Sequence, residues 1–244
     1  FGQNTTVTAG NATTTLSANS LPYLVKNKAT VAANSTLSFG EGVVVKGYDT
    51  TSSNQGEIEV SGGGKIHSAG TSTGDLFFTS MRDSTVGGTV STGLSAPAAG
   101  DWIGITVKAD GVVALSGFTL RYAGQRATNP FFGESAGGFK VTGSSASSGS
   151  VSTALFDSNY QSGLNLESVS SLTVSDSTFE NHTEKTVGSA TALYASGSTA
   201  SFSNITFSSN EKDGVGSGTN TLTCTSCTPA SLNTTPAGLF APAP

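Results

Sequence analysis

The chain has 244 residues, room for one large domain or two small ones. Only 11% are charged and the formal net charge is −5, but 13 phenylalanines and regularly spaced valines argue against disorder, because disordered chains carry many charges and few aromatic or β-branched residues. The 11 basic residues are scattered singly, which leaves no electrostatic footprint for nucleic acid, and no apolar run approaches the roughly 18 residues needed to span a bilayer.

In chain order, residues 1–20 carry "NTTVTAGNATTTL" and read as a capping or assembly segment. Short strand-like runs follow at 29–39, 42–47, 56–62, 76–80, 102–107, 111–122 and 137–143, separated by Gly, Ser, Asn and Asp clusters. Those clusters are turn chemistry, and no segment carries an apolar i, i+3, i+4 stripe, so the chain is expected to be all-β.

The second half repeats itself. Residues 138–159, 163–182 and 192–210 follow one plan, and a fourth copy opens at 214. Each copy has alternating apolar residues, a small-residue turn, a second strand ending in phenylalanine, and a polar corner. Phe156 to Phe179 is 23 residues and Phe179 to Phe207 is 28. A repeat of about 22–28 residues with two or three short strands is one coil of a β-solenoid. Phe156, Phe179 and Phe207 are then expected to stack in the core, with Leu120 a candidate for the same column. Asn159, Asn181 and Asn210 follow closely and suggest a ladder of amides along the axis; ordinary turn asparagines are the alternative.

Cys224 and Cys227 close the repeats in "LTCTSCTP". A zinc site would need a second Cys or His pair, and a thioredoxin-like site would need a helix. A short-loop disulfide in an oxidising compartment is expected, with two free thiols as the alternative. Residues 228–244 read as a Pro/Ala-rich tail. Six N-x-T sequons, at Asn4, Asn11, Asn34, Asn181, Asn204 and Asn233, are candidate glycosylation sites.

The first half carries a string of motifs: "LPYLVKNKATVAANSTLSFGEGVVVKG" (21–47), "GEIEVSGGGKIHSAGTSTGDLFFTSMRD" (56–83), "GDWIGITV" (100–107) and "LSGFTLRYAG" (115–124). It resembles the right-handed parallel β-helix proteins of the pectin-lyase-like superfamily, in their non-enzymatic bacterial surface-protein branch. The resemblance covers about residues 20–227, the expected β-helix being 21–227. His67 departs from it, standing where a small or polar outward residue is usual, and the tail matches nothing in it.

The resemblance implies where chemistry would sit. Lyases of this superfamily hold calcium with several aspartates beside a basic residue, and hydrolases set two or three aspartates on neighbouring coils. The best acidic pair is Asp157 and Glu180, one residue after each phenylalanine; Ser208 breaks that column, and no Arg or Lys is evident within it. Two exposed corner carboxylates are the plainer reading. Glu57 and Glu59 read as a solvated edge, and Trp102 as core. Arg121, Tyr122 and Arg126 are candidate sugar contacts, with salt bridging the plainer role for the arginines. "TTVTAGNATTT" is a single burst, and no regular T-x-T array repeats from coil to coil.

No metal or cofactor is expected. The leading expectation is an exported structural or adhesive protein of a cell surface, filament or pilus-type assembly. Its partners would be copies of itself, other surface subunits or glycans. A polysaccharide lyase, hydrolase or carbohydrate-binding module is the runner-up.

Overall fold

The architecture was obtained as a computed structural model, which describes residues 6–7, 12–48, 56–90, 94–124, 137–143, 148–183, 190–228, 233–235 and 239–242. Those residues form a parallel β-helix of nine levels, with every strand pairing parallel and no helix among them. The first sheet takes one strand from each level, beginning Thr6–Val7, Lys28–Val31, Glu57–Val60 and ending Lys212–Ser217, Thr234–Thr235. The second sheet wraps the other two faces. Its first three levels use two short strands each, such as Thr36–Phe39 and Val43–Gly47. From the fourth level these fuse into long bent strands: Val112–Arg121, Ser148–Asp157, Leu172–Glu180, Thr199–Ser208 and Thr221–Thr228. Residues 13–16, expected in a capping segment, pair with Thr36–Phe39 as part of this sheet; of the residues expected in a tail, 240–242 pair onto the end of this sheet and 234–235 onto the end of the first.

The bends have a backbone cause. One residue in each long strand takes a left-handed conformation: Gly117, Thr153, Asp176, Asn204 and Ser226, with φ between 50° and 71°. Register stacks these five into one corner column. Such a residue interrupts the two-residue alternation. In Leu172–Glu180 the buried positions therefore run 172, 174, then 177 and 179. A second left-handed column, Tyr122, Ser158, Asn181 and Ser209, turns the chain back toward the first sheet.

The interior is filled in columns. Val45, Phe78, Leu120, Phe156, Phe179 and Phe207 lie in register, one per level. The rings of Phe156 and Phe179 are 4.6 Å apart and 5° from parallel, and those of Phe179 and Phe207 are 5.5 Å apart at 19°. Parallel in-register strands force this: each level holds its ring one strand spacing, about 4.8 Å, above the last. Trp102 is fully buried, donates its indole N–H to the Arg121 carbonyl at 3.1 Å, and lies where any Cβ on Gly47 would collide with it. Cys224 and Cys227 occupy the inward columns of Phe202 and Ile205. They lie at disulfide distance, with Cα atoms 6.0 Å apart, and staple the corner across Ser226.

The coil length is less uniform than 22–28 residues. Glu57 pairs with Gly104, a step of 47, because the chain leaves the helix after Met81 and rejoins it at Trp102, with Asp83 and Gly88 held against the outside by Lys46. Surface excursions cost only loop-closure entropy, which rises slowly with length, so the stacked core tolerates them.

Candidate functional site

Three constellations carry polar chemistry. The first pins the excursion at Asp83 and Gly88. Lys46 points outward from its strand yet is fully buried, and its Nζ donates to the carbonyls of Asp83 at 2.6 Å and Gly88 at 2.5 Å. Asp83 is equally buried. Its Oδ2 accepts from Thr79 Oγ1 at 2.6 Å and Arg121 Nε at 2.9 Å, and its Oδ1 from the Thr85 N–H and hydroxyl. Burial would push the Asp83 pKa up; hydrogen bonds from Thr79 and Thr85 and the Arg121 charge outweigh it and hold the carboxyl below its usual range. Burial lowers the Lys46 pKa. Arg121 also lies over the rings of Phe77 and Tyr122, 5.7 and 5.5 Å from their centroids. The guanidinium read from sequence as a sugar contact is thus committed to Asp83. Arg126, Asn4 and Asn11 lie outside the described residues.

The second is the acidic pair. Asp157 and Glu180 are register partners on adjacent levels, and Ser208 follows. Arg121 is Asp157's partner on the level before. The column therefore does hold a basic residue, contrary to the sequence reading; the long spacing from Arg121 to Asp157, 36 residues, hid it. Asp157 Oδ1 accepts from Ser158 Oγ at 2.7 Å and Asn181 Nδ2 at 3.0 Å. Burial and the neighbouring Asp157 charge raise the Glu180 pKa. Glu57 and Glu59 are not simply solvated: Lys28 Nζ lies 3.4 Å from the first and 2.7 Å from the second.

Inside the same corner runs a polar ladder, which corrects the expected asparagine column. Its members are Asn159, His182 and Asn210; Asn181 lies one position earlier and is exposed. Asn159 Oδ1 accepts from the Ala123 N–H, and Asn210 Oδ1 from the His182 N–H. Their Nδ2 groups donate to the carbonyls of Leu120 and Phe179 in the ring column. Between them, His182 Nδ1 lies 2.9 Å from Asn210 Oδ1, an acceptor, and Nε2 lies 3.4 Å from Asn159 Nδ2, a donor. Those partners select the neutral ring with its proton on Nδ1, and a second proton on Nε2 would face an N–H₂. Burial, partly offset by the Asn210 bond, depresses the pKa to about 4 from an ordinary 6.5.

The unfolded histidine protonates first, so stability is complete above about pH 6.5 and falls as pH drops toward 4. At 1.36 kcal/mol per pH unit, the loss is about 3 kcal/mol. Urea midpoints between pH 3.5 and 7.5 should fall less steeply for His182→Asn than for the parent; parallel curves would refute the assignment.

The third constellation covers the outer face of the second sheet. Register places Thr173 and Ser175 beside Ser201 and Ser203, and Thr199, Ser201 and Ser203 beside Thr221, Thr223 and Thr225. Ser150 and Ser152 extend two of these columns one level earlier. Strand geometry sets the hydroxyls about 4.8 Å apart along the axis and about 6.6 Å apart along each strand. Across these ten positions every residue is Ser or Thr, and none of their hydroxyls bonds to another described residue. Elsewhere the hydroxyls of Thr79, Ser80, Ser116, Thr119, Ser177 and Ser198 are all used internally. No regular array is visible along the sequence, because the left-handed corner and unequal loops shift the short Ser/Thr phrases out of step along the chain. The first sheet's outer face carries ion pairs, Lys28 with Glu57 and Glu59 and Lys140 with Glu167, 3.3 Å apart.

Asn34, Asn181, Asn204 and Asn233 are all exposed. Asn181 and Asn204 donate their amide N–H to Asp157 and Asp176 one level earlier. A cleft of about 170 Å³ beside Phe39, Ser68 and Asp75 is about half the smallest usual ligand pocket, roughly 300 Å³. No family model, no curated protein and no solved structure matches this chain.

Proposed function

We propose that this protein is an exported, non-enzymatic β-helix of a cell surface or filament-type assembly, which works by presenting a long rigid side for binding. The hydroxyl lattice on the second sheet carries this reading. It is flat because its strands stack in register, and stiff because Val174, Phe202 and Leu222 are buried directly beneath it. Its hydroxyls are left to solvent or a ligand. The resemblance to the surface-protein branch of the pectin-lyase-like superfamily points the same way.

A second reading rests on one observation, the register of Arg121, Asp157 and Glu180. Neighbouring carboxylates with one raised pKa are the arrangement a polysaccharide lyase or hydrolase uses. Turnover assays on polyuronates and neutral glycans, with and without calcium, separate the two readings. The proposal expects no released product and unchanged surface binding in Asp157→Ala. Turnover that disappears in Asp157→Ala or Glu180→Ala would establish the enzyme instead.

A further inference from the structure

We propose that the hydroxyl lattice binds the ordered surface of an insoluble, uncharged polysaccharide; this rests on the binding-face reading above. One neutral hydrogen bond contributes only about 0.5–1.5 kcal/mol net, because water already satisfies both groups. A small soluble sugar could reach two or three of these hydroxyls, and the lattice positions carry no aromatic ring for it to stack on. Its gain would be consumed by lost rotational and translational freedom. A rigid solid that repeats its own hydroxyls is different. Once one contact is placed, the others need no further ordering, and many weak bonds act together. Rigidity is required on both sides, and the stacked rings of Phe156, Phe179 and Phe207 supply it here.

The borders of the lattice select the charge class. Asp176, held by Asn204 at 2.8 Å, lies in the corner column next to Ser175 and Ser203. Asp157 and Glu180 lie farther along the same strands. These carboxylates repel polyuronates and other anionic polymers.

The full chain should be mixed with microcrystalline cellulose, crystalline chitin, amorphous regenerated cellulose, insoluble polyuronate, soluble hexasaccharides and growing ice, and the bound fraction measured. The variants are Thr173→Tyr and Ser201→Tyr, which raise the flat face without adding charge and keep good strand formers. Thr30→Tyr, on the first sheet, is the control. Depletion by at least one crystalline neutral polysaccharide should exceed that by its amorphous form. It should fall at least tenfold in both lattice variants and persist in the control. Equal binding to crystalline and amorphous forms, or lattice-dependent binding to ice or polyuronate alone, overturns this ligand class while leaving the binding face intact. Binding that both lattice variants retain, or no binding to any surface, overturns the face itself.

Discussion

Phe179→Ala should destabilise the protein by about 3–5 kcal/mol, the range for removing a fully buried phenylalanine. The ring has no exposed surface and is stacked between Phe156 and Phe207. Collapse around the cavity is restricted, because Thr178 and Glu180 on either side are fixed by parallel pairing to both neighbouring levels. The cost should also be local. In a solenoid each level contacts chiefly the next, so amide exchange in Ser148–Asp157, Leu172–Glu180 and Thr199–Ser208 should quicken before that of Lys28–Val31. Thr178→Ala, whose side chain points outward from the same strand, is the control and should stay within about 0.5 kcal/mol. A loss below about 1 kcal/mol in Phe179→Ala would mean that the ring column does not hold the levels together.

Asp83→Ala should cost about 3–5 kcal/mol, the range for breaking a buried ion pair by removing one partner. It would remove the carboxylate beside Arg121 and Lys46, and Thr79 and Thr85 would lose their acceptor. The prediction can be told from simple loss of packing. Removing the charges together, as Lys46→Met, Asp83→Leu and Arg121→Leu, should recover most of the loss, since apolar replacements of whole buried ion pairs are often neutral or stabilising. Urea unfolding of the single and triple variants reads this directly. A triple variant as unstable as Asp83→Ala would show that backbone contacts, not charge, hold the excursion. Because the Asp83 pKa is depressed on folding, its contribution is present above the ordinary carboxylate range and is lost as pH falls through the folded value.

The alternation of apolar residues and the recurring phenylalanine identified the repeat, since in a solenoid each level faces the same environment and so selects the same residue types. The ring column and Leu120's place in it were legible for that reason. Several contacts between levels are not legible in the sequence. The sequence points to Asn181 rather than His182 because a ladder is defined by register, and the left-handed corner moves the buried position one residue on. Arg121 was not linked to Asp157 because the segment between them is longer than a coil. Trp102 was legible as core, but its seat on Gly47 was not, since a glycine's neighbour across levels leaves no trace in its own stretch of chain.

By itself the sequence determined that this chain is all-β, that it winds in repeating levels, and that its core is built from stacked equivalent residues. Those are properties of local alternation and recurrence, which one strand displays in full. Only the tertiary structure decided what lies beside what on the outside: that Asp83 and Lys46 clasp an excursion, that Asp157 stands between Arg121 and Glu180, and that separate Ser/Thr phrases make one lattice. The reason is physical. Neighbours along the axis are set by strand pairing across loops of unequal length, so their adjacency exists in register and not in chain order.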